Sequence, residues 1–277
     1  MTSAEPSWPG AVLTSPSNPR VKALAGLRRR RHRDEVDTTV VEGREEVLLA
    51  LDSGVVPREF WHCPDFGRPV PPELVDRLAA AGVDLVRASR AVLDKLAYRD
   101  SPDGWLAVVP APGRALADLD LGPTPLVVVC EAVEKPGNLG ALLRTADAAG
   151  VDAVVSADPR SDWSNPNVVR ASKGTVFSVP IAAADSDEVL AWLRGHGIAV
   201  VVGTPDAEAL YTDVDLTGPV AILVGTENEG VTATWRDAAD LAVRIPMHGR
   251  ADSLNVATSA ALLVYEAVRQ RGATSTN

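Results

Sequence analysis

Between Asn138 and Gly150, in "PGNLGALLRTADAAG", nearly every residue is small or aliphatic, yet one arginine, Arg144, stands among them. If a helix begins near Asn138, then Leu139, Leu142, Leu143, Ala146 and Ala149 form one apolar stripe at i, i+3, i+4, i+7 spacing. Gly140, Ala141, Arg144 and Ala148 fall on another face. The always-charged guanidinium then stands over Gly and Ala, where a partner can approach closely. Long helical side chains lean toward the helix N-terminus, so Arg144 can serve a site beside Asn138. The competing reading is an arginine paired with a carboxylate at a domain boundary.

Two further stretches carry polar groups at strand ends. In "LVGTENEG" an apolar run stops at Val224, Gly225 frees the backbone, and Glu227 and Glu229 follow before Gly230. Carboxylates repel phosphate, so this loop suits a cationic or hydroxyl-rich ligand; a plain strand-to-helix turn is the alternative. In "IPMHGRADSLNVATSAALLVYEAV", Asp252, Ser253 and Asn255 exceed what one helix cap requires. Beyond them Leu254, Thr258, Ala261, Tyr265 and Val268 form an apolar stripe that either closes the core or packs on a second subunit.

A different chemistry is suggested near the N-terminus. "LRRRRHR" gathers Arg28, Arg29, Arg30, Arg31 and Arg33 in a chain whose net charge is −10. Residues 1–113 carry 15 Lys and Arg against 16 Asp and Glu, whereas residues 114–277 carry 12 against 21. The run reads as a phosphate-contacting arm or as a solvated helix face.

The elements that must position these groups alternate. Over residues 17–110, helices at 18–35, 44–54, 71–82 and 89–98 are interleaved with short strands, which predicts a small α/β domain. Asn18 caps the first helix and Pro19 opens it. The Pro/Ser-rich residues 1–16 are expected to be disordered. Residues 111–125, rich in Pro, Gly and Asp, read as an interdomain linker. Over residues 126–271 buried apolar strands alternate with helices, which implies a mostly parallel sheet with helices on both faces; residues 272–277 form a tail. In such sheets ligands gather beyond the carboxyl ends of strands. Three loops sit there, at 203–206, 225–230 and 247–255.

Composition bounds the rest. Aromatic residues make up 4% of the chain, so Ala, Val and Leu must supply most of the core. No apolar run is long enough to span a membrane, and the N-terminus lacks a secretory signal. Two isolated cysteines, Cys63 and Cys130, fit a reducing cytoplasm. Neither they nor the four histidines stand at metal-ligand spacing, so no metal is expected. A dinucleotide oxidoreductase would need G-x-G-x-x-G after its first strand; "KPGNLGALL" offers only Gly137 and Gly140.

Taken in order, "PGNLGALLRT", "LVGTENEG" and "IPMHGRADSLNVATSAALLVYEA" resemble the three motifs of the SpoU (TrmH-like) branch of the SPOUT RNA methyltransferases. "VVRASKGTVFSVPI" is also similar, and "TTVVEGREEVLLALDSG" resembles the L30e-like substrate-binding domain that many members carry. The resemblance implies a C-terminal trefoil knot and a homodimer formed through the C-terminal domain. It also implies methyl transfer from S-adenosylmethionine to a ribose 2′-hydroxyl of RNA. Ribosomal RNA, 23S above all, is favoured by the N-terminal domain; the same reaction on transfer RNA is the close alternative, and a non-catalytic RNA-binding protein the more distant one.

By the same resemblance Asn138 helps form the catalytic pocket, Glu227 positions backbone or substrate, and Ser253 and Asn255 hydrogen-bond around substrate and cofactor. Gly203, Thr204, Gly225, Ile245, Met247, Leu254 and Asn255 would line the cofactor pocket, and Arg170 would contact RNA. The family's counterpart of Arg144 is proposed to activate the 2′-hydroxyl. A free arginine, which stays protonated far above neutrality, is a poor base. Arg144 is therefore expected to orient the hydroxyl and a neighbouring phosphate, and to take the proton only with help from that phosphate or a second subunit.

Overall fold

A computed structural model describes residue 8, residues 11–226 and residues 230–274. It divides into two compact units. One comprises the chain to residue 112 together with Trp163–Ser178; the other comprises Gly113–Asp162 and the chain from Val179 onward.

The first unit opens with α1 (Pro19–Gly26), whose cap Asn18 accepts the Arg20 amide at 2.9 Å, and α2 (Arg30–Val36). The sequence suggests one continuous helix here. The chain instead breaks at Leu27–Arg29, because Leu27 turns into the core at 4% exposure. Arg33, one turn into α2, donates to the freed Leu27 and Arg28 carbonyls at 2.9 and 3.3 Å.

Then follow β1 (Thr38–Glu42), α3 (Arg44–Asp52), β2 (Glu59–His62), α4 (Pro72–Ala80), β3 (Asp84–Arg87), α5 (Arg90–Leu96) and β4 (Trp105–Pro110). The sheet order is β1-β4-β2-β3, with only β2 and β3 parallel. Order begins earlier than expected: Leu13, inside the Pro/Ser-rich stretch, forms a parallel bridge with Ala88. Its amide donates to the Arg87 carbonyl and its carbonyl accepts the Ser89 amide.

The second unit begins before its first strand. Leu116 and Leu119, in the stretch expected to be a linker, are buried in its core, so that segment is packed rather than free. Next come β5 (Leu126–Glu131), α6 (Pro136–Ala149) and β6 (Ala153–Ala157). The chain then enters the first unit as α7 (Pro166–Ala171), which packs on β1. Gly174, at φ +88°, lies against the Glu46 backbone and Leu49, where a Cβ would be crowded at 3.2–3.3 Å. Residues 163–178 thus pack with the first unit, although their place in the sequence is within the second half.

Back in the second unit are β7 (Ile181–Ala184), α8 (Ser186–Gly195), β8 (Ala199–Gly203), β9 (Ala209–Leu210), β10 (Val220–Val224), α9 (Ala233–Ala238), β11 (Leu241–Arg244) and α10 (Val256–Thr274). The sheet order is β7-β6-β5-β10-β8-β11-β9, and every paired strand is parallel.

Alternate residues of these strands serve opposite faces. Val127, Val129, Val155, Val200 and Leu223 pack with Val189, Trp192 and Leu193 of α8 and Trp235 of α9. The intervening Val128, Val154, Val201 and Ile222 are equally buried on the other face, where α10 meets β5, β8, β10 and α6.

The core face of α10 is Val256, Ala257, Ala260, Leu263, Val264 and Ala267. The stripe expected from spacing lies on the opposite side, with Thr258 exposed and Tyr265 at 48% exposure. α10 also runs through Thr274, beyond the expected start of the tail at 272. Among the described residues no helix is long and apolar enough to cross a membrane.

Candidate active site

α6 places Asn138 and Arg144. Pro136 opens the helix and Gly150, in the left-handed conformation at φ 67°, ends it. Leu139, Leu142, Leu143 and Ala146 are buried as their spacing predicts, and Gly140 is buried with them. Arg144 is exposed, on the face that also carries Gly137, Ala141 and Ala148. It makes no hydrogen bond or ion pair with any described residue. The reading of Arg144 as half of a structural ion pair therefore fails.

Asn255 meets Asn138 across the site. Its Oδ1 accepts the Ala257 amide at 3.0 Å and so caps α10, while its Nδ2 donates to Asn138 Oδ1 at 3.1 Å. One asparagine thus ends a loop, starts a helix and links the third motif to the first. Leu254 is half-buried, and Ser253 is exposed beside it.

The loop after β10 closes tightly. Thr226 and Gly230 exchange amide-to-carbonyl hydrogen bonds of 3.0 and 3.1 Å. The Gly230 backbone lies where a Cβ on Gly225 would sit, so glycine at 225 is required by this closure. Glu227 falls within residues 227–229, outside the described residues.

Gly203, Gly225 and Ile245 stand at the carboxyl ends of three adjacent parallel strands, β8, β10 and β11. The Thr204 amide donates to the Val243 carbonyl at 2.9 Å, tying two of these ends together. Ile245 and Met247 are half-buried. Strand-end backbone groups beside half-exposed apolar side chains can take a flat heterocycle, which fits the adenosine of S-adenosylmethionine.

A cleft of about 440 Å³ opens where α6 starts. Asn138, Thr226, Gly230, Thr232 and Val256 line it, which brings the three motifs to one place. Gly203, Thr204, Ile245 and Met247 do not line it. Among the described residues, Ala132 and Val133 also line it, together with charged groups that the sequence did not single out: Glu131, Glu134, Lys135, Asp158 and Arg160. One signal was available, a carboxylate ending the otherwise apolar run "LVVVCE". Glu131 is 2% exposed, and its Oε2 accepts the Thr232 amide at 2.9 Å. Asp158, at φ 48°, is committed to Ser186, accepting its amide at 3.2 Å and its hydroxyl at 2.5 Å.

The basic run is only partly available for phosphate. Arg33 is 3% exposed and bonds to Ser164 Oγ as well as to the Leu27 and Arg28 carbonyls, so it is a structural arginine and not an RNA contact. Arg28 is exposed but donates to the carbonyls of Lys95 and Ala97 and lies over the Tyr98 ring. Arg30 and Arg31 pair with Asp34 and Glu35 one turn on, at 3.6 and 2.9 Å. Such exposed pairs are worth a few tenths of a kcal/mol and open readily. Arg29 is exposed. Arg170 is exposed and donates to the Tyr98 carbonyl at 2.8 Å.

Residues 125–265 match the SpoU rRNA Methylase family, and residues 18–107 match the MRM3-like substrate binding domain. The chain belongs to the SpoU rRNA methylase family. This SpoU methylase is 31% identical to the 23S rRNA (guanosine(2553)-2′-O)-methyltransferase RlmP of Bacillus subtilis, over 91% of this chain and 97% of that one. A crystal structure of an RNA 2′-O ribose methyltransferase superposes with a TM-score of 0.81 at 46% identity, covering 94% of this chain and 99% of that chain. An AdoMet-bound rRNA methyltransferase from Sinorhizobium meliloti superposes with a TM-score of 0.86 at 31% identity, covering 94% and 97%. The substrate-binding domain of this SpoU methylase spans α1 to β4, and its methylase domain begins with β5.

Proposed function

We propose that this SpoU methylase transfers the methyl group of S-adenosylmethionine to a ribose 2′-hydroxyl of ribosomal RNA, 23S in the first instance. The observation that carries this reading is the Asn138–Asn255 contact at the cleft, on the same helix as an exposed and unpaired Arg144. The names of its relatives support the substrate: RlmP is a 23S rRNA guanosine 2′-O-methyltransferase, and others are named for ribosomal RNA as well.

The cofactor, when bound, supplies an electrophilic methyl group on a cationic sulfur. Gly203, Thr204, Gly225, Ile245, Met247 and Leu254 would hold it, and Ser253 and Asn255 would border it. The chain's own task is to align a weak, high-pKa hydroxyl and to help its proton leave. Methyl transfer would form the oxygen–carbon bond at the expense of the carbon–sulfur bond, and the hydroxyl proton would pass to an acceptor. Arg144 holds the hydroxyl and an adjoining phosphate through its planar fork of N–H donors. Asn138, fixed by Asn255, supports the ribose side. Glu227 keeps its expected role in the loop after β10.

RNA would also be gripped by the first unit, through Arg29 and the openable pairs of Arg30 and Arg31, with Arg170 beside Tyr98. We further infer a cytoplasmic homodimer formed through the half-exposed face of α10, where Leu262 and Tyr265 are 38% and 48% exposed.

The test is methyl transfer from labelled S-adenosylmethionine to total RNA from cells lacking this gene. Label in 23S RNA that disappears with Arg144→Ala supports the reading. Label in transfer RNA alone keeps the chemistry and overturns the substrate. Absence of cofactor binding removes the methyltransferase reading and leaves an RNA-binding protein.

A further inference from the structure

We propose that the cleft at the start of α6 seats the target nucleobase, that Glu131 is the carboxylate that reads it, and that the base it takes is guanine. This rests on the reading of the chain as a ribose methyltransferase.

Glu131 is the unusual group in the cleft. It ends a strand that is otherwise apolar and is 2% exposed, yet it lines the cavity. Its hydrogen bonding is incomplete. The Thr232 amide donates to Oε2 at 2.9 Å, no described residue donates to Oε1, and no cation pairs with it. An ionised carboxylate offers about four acceptor positions. Buried with one neutral donor, it is left short of partners, at a cost that a ligand with N–H groups would relieve. Asp158 does not share this property, because Ser186 already occupies both of its oxygens.

The cavity, about 440 Å³, is of the size that small ligands occupy. Glu134, exposed in the same lining, adds a second carboxylate, and although Lys135 also lines the cleft, the short-handed oxygen of Glu131 itself calls for an edge rich in donors. Guanine presents an imino N1–H and an amino N2–H side by side. Adenine and cytosine present one amino group beside a ring acceptor. Uracil presents a single N–H between two carbonyls, which the carboxylates repel. Exposed Arg160 supplies a cation in the same lining for the nucleotide's phosphate. Asn138 lines the cleft too, so a base held on Glu131 keeps its ribose beside Asn138.

Binding of GMP, AMP, CMP and UMP to the full chain saturated with S-adenosylmethionine is measured by ligand-observed NMR, for the wild type and for Glu131→Gln. Glutamine keeps an acceptor for the Thr232 amide but replaces half of the carboxylate with a donor. The expected result is GMP bound about tenfold more tightly than UMP, with the difference lost in the variant and cofactor affinity unchanged. Equal binding of the four nucleotides overturns the proposal, as does a guanine preference that survives Glu131→Gln. So does a variant that loses cofactor affinity instead, since Glu131 would then serve the cofactor.

A second arm needs no variant. Ribosomal RNA methylated by the wild type is digested to nucleosides, and the labelled product is identified. 2′-O-methylguanosine supports the proposal. 2′-O-methyluridine overturns it and leaves the methyltransferase reading standing, whereas failure to bind S-adenosylmethionine removes both.

Discussion

Arg144 is exposed and has no partner to lose, so its removal should affect chemistry and leave the fold alone. Arg144→Ala is expected to reduce methyl transfer by about 10²–10³-fold, the usual effect of deleting a group that acts on the reacting centre. Its circular dichroism and melting midpoint should match the wild type. Arg144→Lys should rescue little, because a point charge does not reproduce a planar fork. A lysine variant of near-normal rate would reduce Arg144 to a simple counter-charge.

His62 tests burial at the same scale. Its ring is 4% exposed, Nε2 bonds to the Arg68 carbonyl at 2.9 Å, and Nδ1 is buried without a partner. Burial pushes its pKa below 6.5, because protonation would leave a charge on Nδ1 with no acceptor. The stability it contributes is therefore complete above about pH 6.5 and falls as pH falls toward the depressed folded value. Burial raises the Glu42 carboxyl, which gives the opposite trend, so the histidine must be isolated by difference. The melting midpoint of the wild type minus that of His62→Gln should shrink between pH 7 and pH 5.

Elements are held by a few side chains at their ends. In the last turns of α10, Arg271 donates to the carbonyls of Thr124, Pro125, Leu216 and Gly218 at 2.7–3.2 Å. It thereby ties the helix to the segments that lead into β5 and β10. Burial lowers its pKa, but it starts far above neutrality and stays charged. Arg271→Ala leaves four carbonyls to water and should cost about 1–3 kcal/mol by denaturant unfolding. The free face of α10 makes the opposite prediction. Tyr265→Glu should leave monomer stability nearly unchanged, because the ring is 48% exposed. It should convert a dimer to a monomer in light scattering if this face is the interface. A wild type that is monomeric at all concentrations would remove the dimer from the proposal.

For the molecule as a whole, the charge balance is the puzzle: the net charge is −10, yet the proposed partner is a polyanion. Binding must then depend on a local concentration of arginine, and the first unit carries it. Arg29→Glu combined with Arg31→Glu should weaken ribosomal RNA binding several-fold and flatten its salt dependence, without changing affinity for S-adenosylmethionine. An unchanged salt slope would mean that RNA is gripped elsewhere.

Local chemistry made some of this structure legible in the sequence. Asn18, Pro19 and the stripe Leu139–Leu142–Leu143–Ala146 predicted helices because capping and 3.6-residue periodicity act within one turn. Strands such as "LVVVC" and "VAILV" read as a parallel sheet because burial on both faces demands continuous apolar runs. The three polar stretches could be seen as exceptions to those runs. Tertiary structure decided the rest. Arg33 looked like its basic neighbours until a broken helix turned it inward onto freed carbonyls. Leu116 and Leu119 looked like linker until a core took them, and residues 163–178 left the unit their sequence position assigned. The side of α10 that faces the core was fixed by α6 and the sheet. Glu131 gained its meaning only when Thr232, a hundred and one positions away, donated to one of its oxygens and the chain closed a cleft beside it. Periodicity and capping are local and survive in a string of letters, whereas burial, the partners of a polar atom and the walls of a cavity come from segments that meet only when the chain has folded.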